Sequence, residues 1–119
     1  MIQGLDHLQL SIPVGRLDEA LAFYVDVMRF TRVPKPPELA ADGGAWLRQG
    51  GIELHLGEEQ PFSTDGRAHP SFTVSDMDAV LEPVIAKGLP HRFDQGPNGY
   101  KRASVFDPFG NRIELMQKL

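Results

Sequence analysis

Residues 51–56 read GIELHL and residues 112–117 read RIELMQ, so the tripeptide Ile-Glu-Leu occurs twice in a chain of 119 residues. In each copy aliphatic residues alternate with others, which is the period-two pattern of a strand with one apolar face. The first copy places Glu53 and His55 two residues apart, and therefore on one face of that strand. This repetition predicts a chain built from two similar halves.

A second pair of strand patterns strengthens this interpretation. Residues 7–13 read HLQLSIP and residues 69–75 read HPSFTVS, and each segment begins with histidine and then alternates. The two histidines are 62 residues apart, and Glu53 and Glu114 are 61 residues apart. Each half is therefore expected to carry a histidine at the start of its first strand and a glutamate in its last strand.

The segments between these strands also correspond. Residues 16–30 and 75–90 carry apolar side chains at helical spacing. Ser75, Asp76 or Asp78 could cap the second helix, and Gly88 is expected to end it. Short strand-like segments follow each helix, at 30–34, 45–49 and 52–57 in the first half and at 91–95, 101–107 and 112–117 in the second.

Together these elements predict an α+β fold. Two tandem βαβββ modules would form a curved mixed sheet around a cleft. The modules span residues 1–57 and 68–119, with residues 58–67 as the linker, and together they form a single domain.

Composition restricts the classes of partner. The net charge is −4 and the sequence has no basic stripe, so neither nucleic acid nor a membrane surface is an expected partner. The chain has no cysteine, which excludes thiolate ligands and disulfides. The N-terminus enters a strand pattern directly, and we expect a cytoplasmic protein.

Four ionisable residues follow the repeat: His7, Glu53, His69 and Glu114. If the halves pair about a pseudo-twofold axis, two imidazoles and two carboxylates can converge on a divalent cation. Zn, Ni, Co, Mn and Fe are all admissible with such ligands. His55 competes with Glu53, because it could replace it as ligand, move a proton or contact substrate.

The repeat, together with LDHLQLSIP (5–13), HPSFTVSD (69–76) and DPFGNRIEL (107–115), resembles the vicinal oxygen chelate superfamily. This superfamily includes glyoxalases, fosfomycin-resistance enzymes, extradiol dioxygenases and bleomycin-sequestering proteins. The resemblance covers essentially the whole chain. It implies that His7, His69 and Glu114 are metal ligands and that Glu53 is the fourth ligand, as in glyoxalases. The residues after Glu53 depart from the glyoxalase pattern, which argues against a glutathione hemithioacetal substrate.

The resemblance implies a divalent-metal-dependent enzyme that chelates two oxygens of a small substrate. Its expected chemistry is a lyase- or isomerase-type proton transfer next to a carbonyl, with Glu53, Glu114 or His55 moving the proton. One alternative is a metal-free binding protein of the bleomycin-resistance type. A second alternative is an Fe(II) extradiol dioxygenase-like enzyme. Small members of this superfamily often pair their modules across chains, so we also expect a homodimer.

Overall fold

The computed structural model describes all residues from Met1 to Leu119. The chain divides into two compact units, Met1–Ser63 and Thr64–Leu119. The boundary between them lies inside the segment predicted as a linker. None of the helices has the length and apolar character needed to cross a membrane.

The first unit contains one helix and a four-stranded mixed sheet in the order β1-β4-β3-β2. Strand β1 runs parallel to β4, and the other neighbours are antiparallel. A 3-10 segment, Pro37–Asp42, lies between β2 and β3. The elements in chain order are β1 (Leu8–Pro13), α1 (Leu17–Leu21, continued by a π-helical segment Ala22–Val27), β2 (Thr31–Val33), β3 (Ala45–Gln49) and β4 (Ile52–Glu59).

The second unit repeats this arrangement, with a sheet in the order β5-β8-β7-β6. Strand β5 is parallel to β8, and the remaining pairs are antiparallel. Its elements are β5 (Ser71–Thr73), α2 (Met77–Ala86), β6 (His91–Asp94), β7 (Tyr100–Phe106) and β8 (Arg112–Lys118). In both units the first strand pairs with the last, so the predicted α+β class and the two βαβββ modules are confirmed.

The two helices differ in regularity. The first was predicted as one continuous helix over 16–30, but it changes to π-helical geometry at Ala22. Helix α2 begins at Met77, where the Asp76 carboxylate accepts a hydrogen bond from the Ala79 N–H at 3.1 Å. It ends before Gly88, whose positive φ of 64° suits a helix terminus.

Each sheet has one apolar face, which contributes buried side chains to the core of its own unit. In β4, Leu54 and Leu56 are buried, whereas Ile52, predicted to pack with them, is 43% exposed at the strand end. The corresponding residues of β8 are Ile113 and Leu115, both buried. Because side chains alternate along a strand, the opposite faces carry His55 in the first unit and Glu114 in the second.

Candidate functional site

Glu114 is the centre of a polar cluster in the second unit. Strand pairing sets Ser71 of β5 and Ser104 of β7 on either side of it. Glu114 is 7% exposed, and the Ser71 hydroxyl donates a hydrogen bond to Oε2 at 2.9 Å. Its other oxygen, Oε1, lies 2.7 Å from Arg102 Nη2 and 3.2 Å from Arg112 Nη2. A buried carboxylate with this many donors is fully compensated as an anion.

These contacts have a direct electrostatic effect. The hydrogen bond from Arg102 lowers the pKa of Glu114 from its ordinary 4.5 to about 2, against the opposing effect of burial. The hydrogen bond from Ser71 and the contact with His69 lower it further. Glu114 is therefore ionised at neutral pH, which suits a metal ligand and makes it a weak general base.

His69 faces Glu114 with one nitrogen and a backbone carbonyl with the other. Its Nε2 lies 3.2 Å from Glu114 Oε1, and its Nδ1 lies 2.9 Å from the Arg67 carbonyl oxygen. Because a carbonyl oxygen only accepts, Nδ1 carries a hydrogen, and in a neutral ring Nε2 then holds the lone pair. That lone pair points toward Glu114 Oε1, which is itself an acceptor. Either a proton on Nε2 or a cation between the two atoms would therefore satisfy both of them.

His7 in the first unit is oriented in the same way. Its Nδ1 lies 2.9 Å from the Asp6 carboxylate, which again leaves Nε2 as the free nitrogen of a neutral ring. A histidine that donates Nδ1–H to an oxygen while presenting Nε2 is the usual arrangement of a metal-ligating imidazole. His7 and His69 therefore share the orientation that a metal ligand requires.

His55 is held between two other rings. It stacks on Trp46 with ring centroids 4.1 Å apart and an interplanar angle of 2°, and on His7 at 4.1 Å and 18°. The residue as a whole is 8% exposed. Burial lowers the pKa of His55 below its ordinary 6.5, and the neighbouring His7 lowers it further. His55 is therefore a neutral imidazole at neutral pH, able to accept a proton.

Glu53 lies on the same strand face as His55 but has a different partner. Its Oε1 accepts a hydrogen bond from Arg48 Nε at 2.5 Å, and Arg48 is its cross-strand neighbour on β3. The carboxylate is thus engaged in an ion pair whose arginine is about half exposed.

Strand register distinguishes the two halves. In the second sheet the residue two after His69, Ser71, pairs with Glu114. In the first sheet the residue two after His7, Gln9, pairs with His55. The first sheet therefore has His55, and not Glu53, at the place that Glu114 occupies in the second, although the Ile-Glu-Leu repeat equates the two glutamates.

A cavity of about 530 Å³ opens in the first unit, next to His7 and His55. Trp46 and Leu56 form part of its wall, and Lys35 and Glu58 add charge. Glu53 is not among the residues that line it. A volume of this size accommodates a small metabolite.

The structure pairs His69 with Glu114 in one unit and His7 with His55 in the other. Neither unit by itself gathers three His, Asp or Glu side chains into a metal-binding group. The grouping of all four predicted ligands stays a prediction.

Sequence reasoning did not identify Arg102 and Arg112 as donors to Glu114. Both arginines lie on the same face of the sheet as Glu114. The alternation of side chains along β7 and β8 is the sequence feature that could have identified them as its neighbours.

A chain of two βαβββ units with this strand order and a histidine ahead of each first strand defines the glyoxalase-like class of proteins. The sequence matches the family model of the Glyoxalase/Bleomycin resistance protein/Dioxygenase superfamily over residues 4–115. The protein belongs to this superfamily.

Solved structures agree with this assignment. A protein from Bacillus anthracis, classed with the glyoxalase family, is 42% identical and has a TM-score of 0.94, covering 100% of this chain and 98% of its own. The fosfomycin resistance protein FosX from Listeria monocytogenes is 17% identical with a TM-score of 0.80, covering 100% and 96%. Lactoylglutathione lyase from Agrobacterium tumefaciens is 23% identical with a TM-score of 0.69, covering 97% and 96%. The last two share the fold alone. The search of curated proteins found no match.

Proposed function

We propose that this protein is a divalent-metal-dependent enzyme that moves a proton next to a carbonyl or a comparable oxygen-bearing carbon of a small substrate. The metal ligands in this proposal are His7, His69 and Glu114. Their grouping rests on the sequence repeat and the superfamily match, and the geometry within each unit supports each ligand separately. A point mutant of FosX, a protein with the same fold, has been crystallised with Mn(II) and 1S,2S-dihydroxypropylphosphonic acid.

The donor set fits a divalent ion of intermediate hardness. His7 and His69 each direct Nδ1 toward an oxygen, so Nε2 is available for coordination in the neutral ring. Glu114 is held as an anion close to His69 Nε2. Nitrogen and oxygen ligands without sulfur suit Zn, Ni, Co, Mn and Fe alike.

A bound divalent ion would act as a Lewis acid, stabilising negative charge that develops on a substrate oxygen. The protein must then supply a proton acceptor, and His55 is the best candidate. It is neutral and lines the cavity, and it stacks directly on the ligand His7. Glu53 is paired with Arg48, and Glu114 is too acidic to serve as an efficient base.

The observation that carries this proposal is the orientation of His7 and His69 combined with the anionic Glu114. A metal-free binding protein of the bleomycin-resistance type has no need of this donor arrangement. The aromatic wall at Trp46 is compatible with such a binder and keeps it as the second candidate. A dioxygenase would use the same three ligands with Fe(II), and only its reaction with oxygen separates it from the main proposal.

The test is metal analysis of protein purified without a polyhistidine tag, followed by a substrate screen of the metal-loaded protein. The screen covers α-oxoaldehyde–thiol adducts, acyl-CoA thioesters and catechols. We expect about one divalent ion per chain and turnover of an α-oxoaldehyde–thiol adduct or an acyl-CoA thioester that stops on chelation. Oxygen-dependent conversion of a catechol would support the dioxygenase alternative instead. A protein that binds a screened compound tightly without metal and converts none of them would contradict the enzyme proposal and support the binder.

A homodimer remains part of the proposal, because small members of this superfamily often pair their modules across chains. Sedimentation at micromolar concentration tests it, and a monomer under these conditions would contradict it.

A further inference from the structure

One oxygen of Glu114 is crowded by nitrogen atoms of three side chains. Oε1 lies 2.7 Å from Arg102 Nη2, 3.2 Å from Arg112 Nη2 and 3.2 Å from His69 Nε2. The other oxygen receives only the Ser71 hydroxyl. A carboxylate oxygen has about two lone-pair sites, so the two arginines alone fill Oε1.

This is also the oxygen that a metal shared with His69 would use, because it is the one facing Nε2. A divalent ion at Oε1 and a guanidinium at the same oxygen compete for the same lone pairs and repel each other. At least one arginine must therefore withdraw when a metal binds.

The two arginines are anchored differently. Arg112 is also held by the Ser104 hydroxyl through Nε at 3.0 Å and lies 3.9 Å from Asp94. Arg102 makes the shortest bond to Glu114, and its other contact is a long one to the Gln95 carbonyl at 3.4 Å. Arg102 is thus the stronger competitor at Oε1 and the one less tied to the rest of the unit.

We propose that Arg102 is an internal counter-cation for Glu114, which occupies the ligand oxygen in the metal-free protein and is displaced when a divalent ion binds. The inference rests on the proposed metal function. In the metal-free protein Arg102 keeps a buried carboxylate compensated, and it lowers metal affinity because part of the binding energy is spent on moving it.

The experiment is calorimetric titration of metal-stripped protein with MnCl₂ and, separately, ZnCl₂. It compares the wild type with Arg102→Met and with the control Arg92→Met. Arg92 lies in the same sheet and bonds Asp94 at 2.6 Å, but it does not touch Glu114. The control therefore removes one positive charge of the same unit without freeing Oε1.

We expect Arg102→Met to bind metal roughly tenfold to a hundredfold more tightly than the wild type, the range for losing one charged hydrogen bond. Arg92→Met should stay within about threefold, because it loses only a screened, distant charge. Arg102→Lys keeps the charge but not the planar donor pair, so its affinity should fall between those of the wild type and Arg102→Met. Circular dichroism of each variant verifies the fold before titration.

Equal or weaker metal binding by folded Arg102→Met, beside a wild type that binds, overturns the inference and leaves the proposed function intact. An equal gain in Arg92→Met also overturns it, because the effect would then be general electrostatics. Absence of metal binding in all of these proteins overturns the inference and the proposed function together.

Discussion

Two buried ionisable residues, Glu114 and His55, occupy the same register position in their two sheets and have opposite chemistry. Glu114 is surrounded by donors and stays an anion. His55 lies between aromatic rings and stays neutral. One unit thus holds a carboxylate that stays charged and the other an imidazole that stays neutral, and the asymmetry comes from the neighbours that strand pairing supplies.

Because the pKa of Glu114 is lowered in the folded protein, the free energy of unfolding should depend on pH in the acidic range. The folded pKa of about 2 is below the ordinary 4.5, so the stabilisation is complete above pH 4.5 and is lost as the pH falls toward 2. We expect the free energy of unfolding to drop by roughly 1–3 kcal/mol over this window through Glu114 alone. Urea unfolding of the metal-free wild type and Glu114→Gln at pH 6 and pH 3 measures the difference.

Glu114→Gln should lose less stability between these two pH values than the wild type does. Asp94→Asn serves as the control variant in the same unfolding experiment. The pKa of Asp94 is also lowered, but Asp94 lies outside the proposed ligand set. Parallel losses in the wild type and Glu114→Gln would show that the carboxylate is not held as described.

The lowered pKa of His55 gives a second prediction, which concerns the pH at which its imidazole becomes protonated. Its folded pKa lies below 6.5, so the imidazole should remain neutral to a lower pH than an unperturbed histidine does. An NMR pH titration of the four imidazoles measures this directly. The resonance that disappears in His55→Gln should titrate below 6.5, and a normal or raised midpoint would contradict our account of the site.

Once a substrate is found, turnover measurements should distinguish the role of His55 from that of Glu53. We expect His55→Gln to keep metal affinity within about threefold while turnover falls by roughly a hundredfold or more, the usual effect of removing a general base. Because Arg48 occupies its carboxylate, Glu53→Gln should also keep metal affinity. Weaker metal binding by Glu53→Gln would instead place this residue among the ligands, as the sequence repeat suggests.

At the scale of elements, the approach of one loop to β4 depends on glycine. Gly44 has a φ of 71°, and a Cβ atom there would collide with the Leu56 carbonyl oxygen. Gly50 has a similar φ of 56° but open space around it. We expect Gly50→Ala to cost about 1 kcal/mol from backbone strain and Gly44→Ala at least twice as much.

Thermal unfolding of the two variants distinguishes the effects, because they share the backbone strain and differ in the collision. Equal losses of stability would show that Gly44 is not pressed against β4.

Periodicity was sufficient to locate the strands and helices, because alternation and helical spacing are local properties of the chain. It was insufficient for register, which depends on the pairing of β1 with β4 and of β5 with β8 across more than 40 residues. For this reason the repeat equated Glu53 with Glu114, whereas pairing puts His55 at that place.

Local sequence patterns also did not predict features that depend on contacts between residues distant in the chain. The π-helical segment after Leu21 and the exposure of Ile52 have no distinct sequence signal. His69 and Glu114 lie 3.2 Å apart, whereas the grouping of all predicted ligands stays a prediction. The arginines that surround Glu114 became apparent only from strand pairing.

For the whole molecule, the superfamily match over residues 4–115 and the 42% identical structure establish the family. The central claim beyond the family is that His7, His69 and Glu114 bind one divalent ion. Histidines of each unit can be tested separately, and His91 provides a matched control. Its Nδ1 also bonds a backbone carbonyl, that of Leu89, but its ring packs on Phe93 and not on a carboxylate.

The most direct measurement is the stoichiometry and affinity of Mn²⁺ binding by calorimetry to metal-stripped wild type, His7→Gln, His69→Gln and His91→Gln. We predict one ion per chain for the wild type and His91→Gln. We predict a loss of about a hundredfold or more in affinity for each of the other two, since each loses a ligand. Equal binding by all four proteins, or no binding by the wild type, would contradict the account.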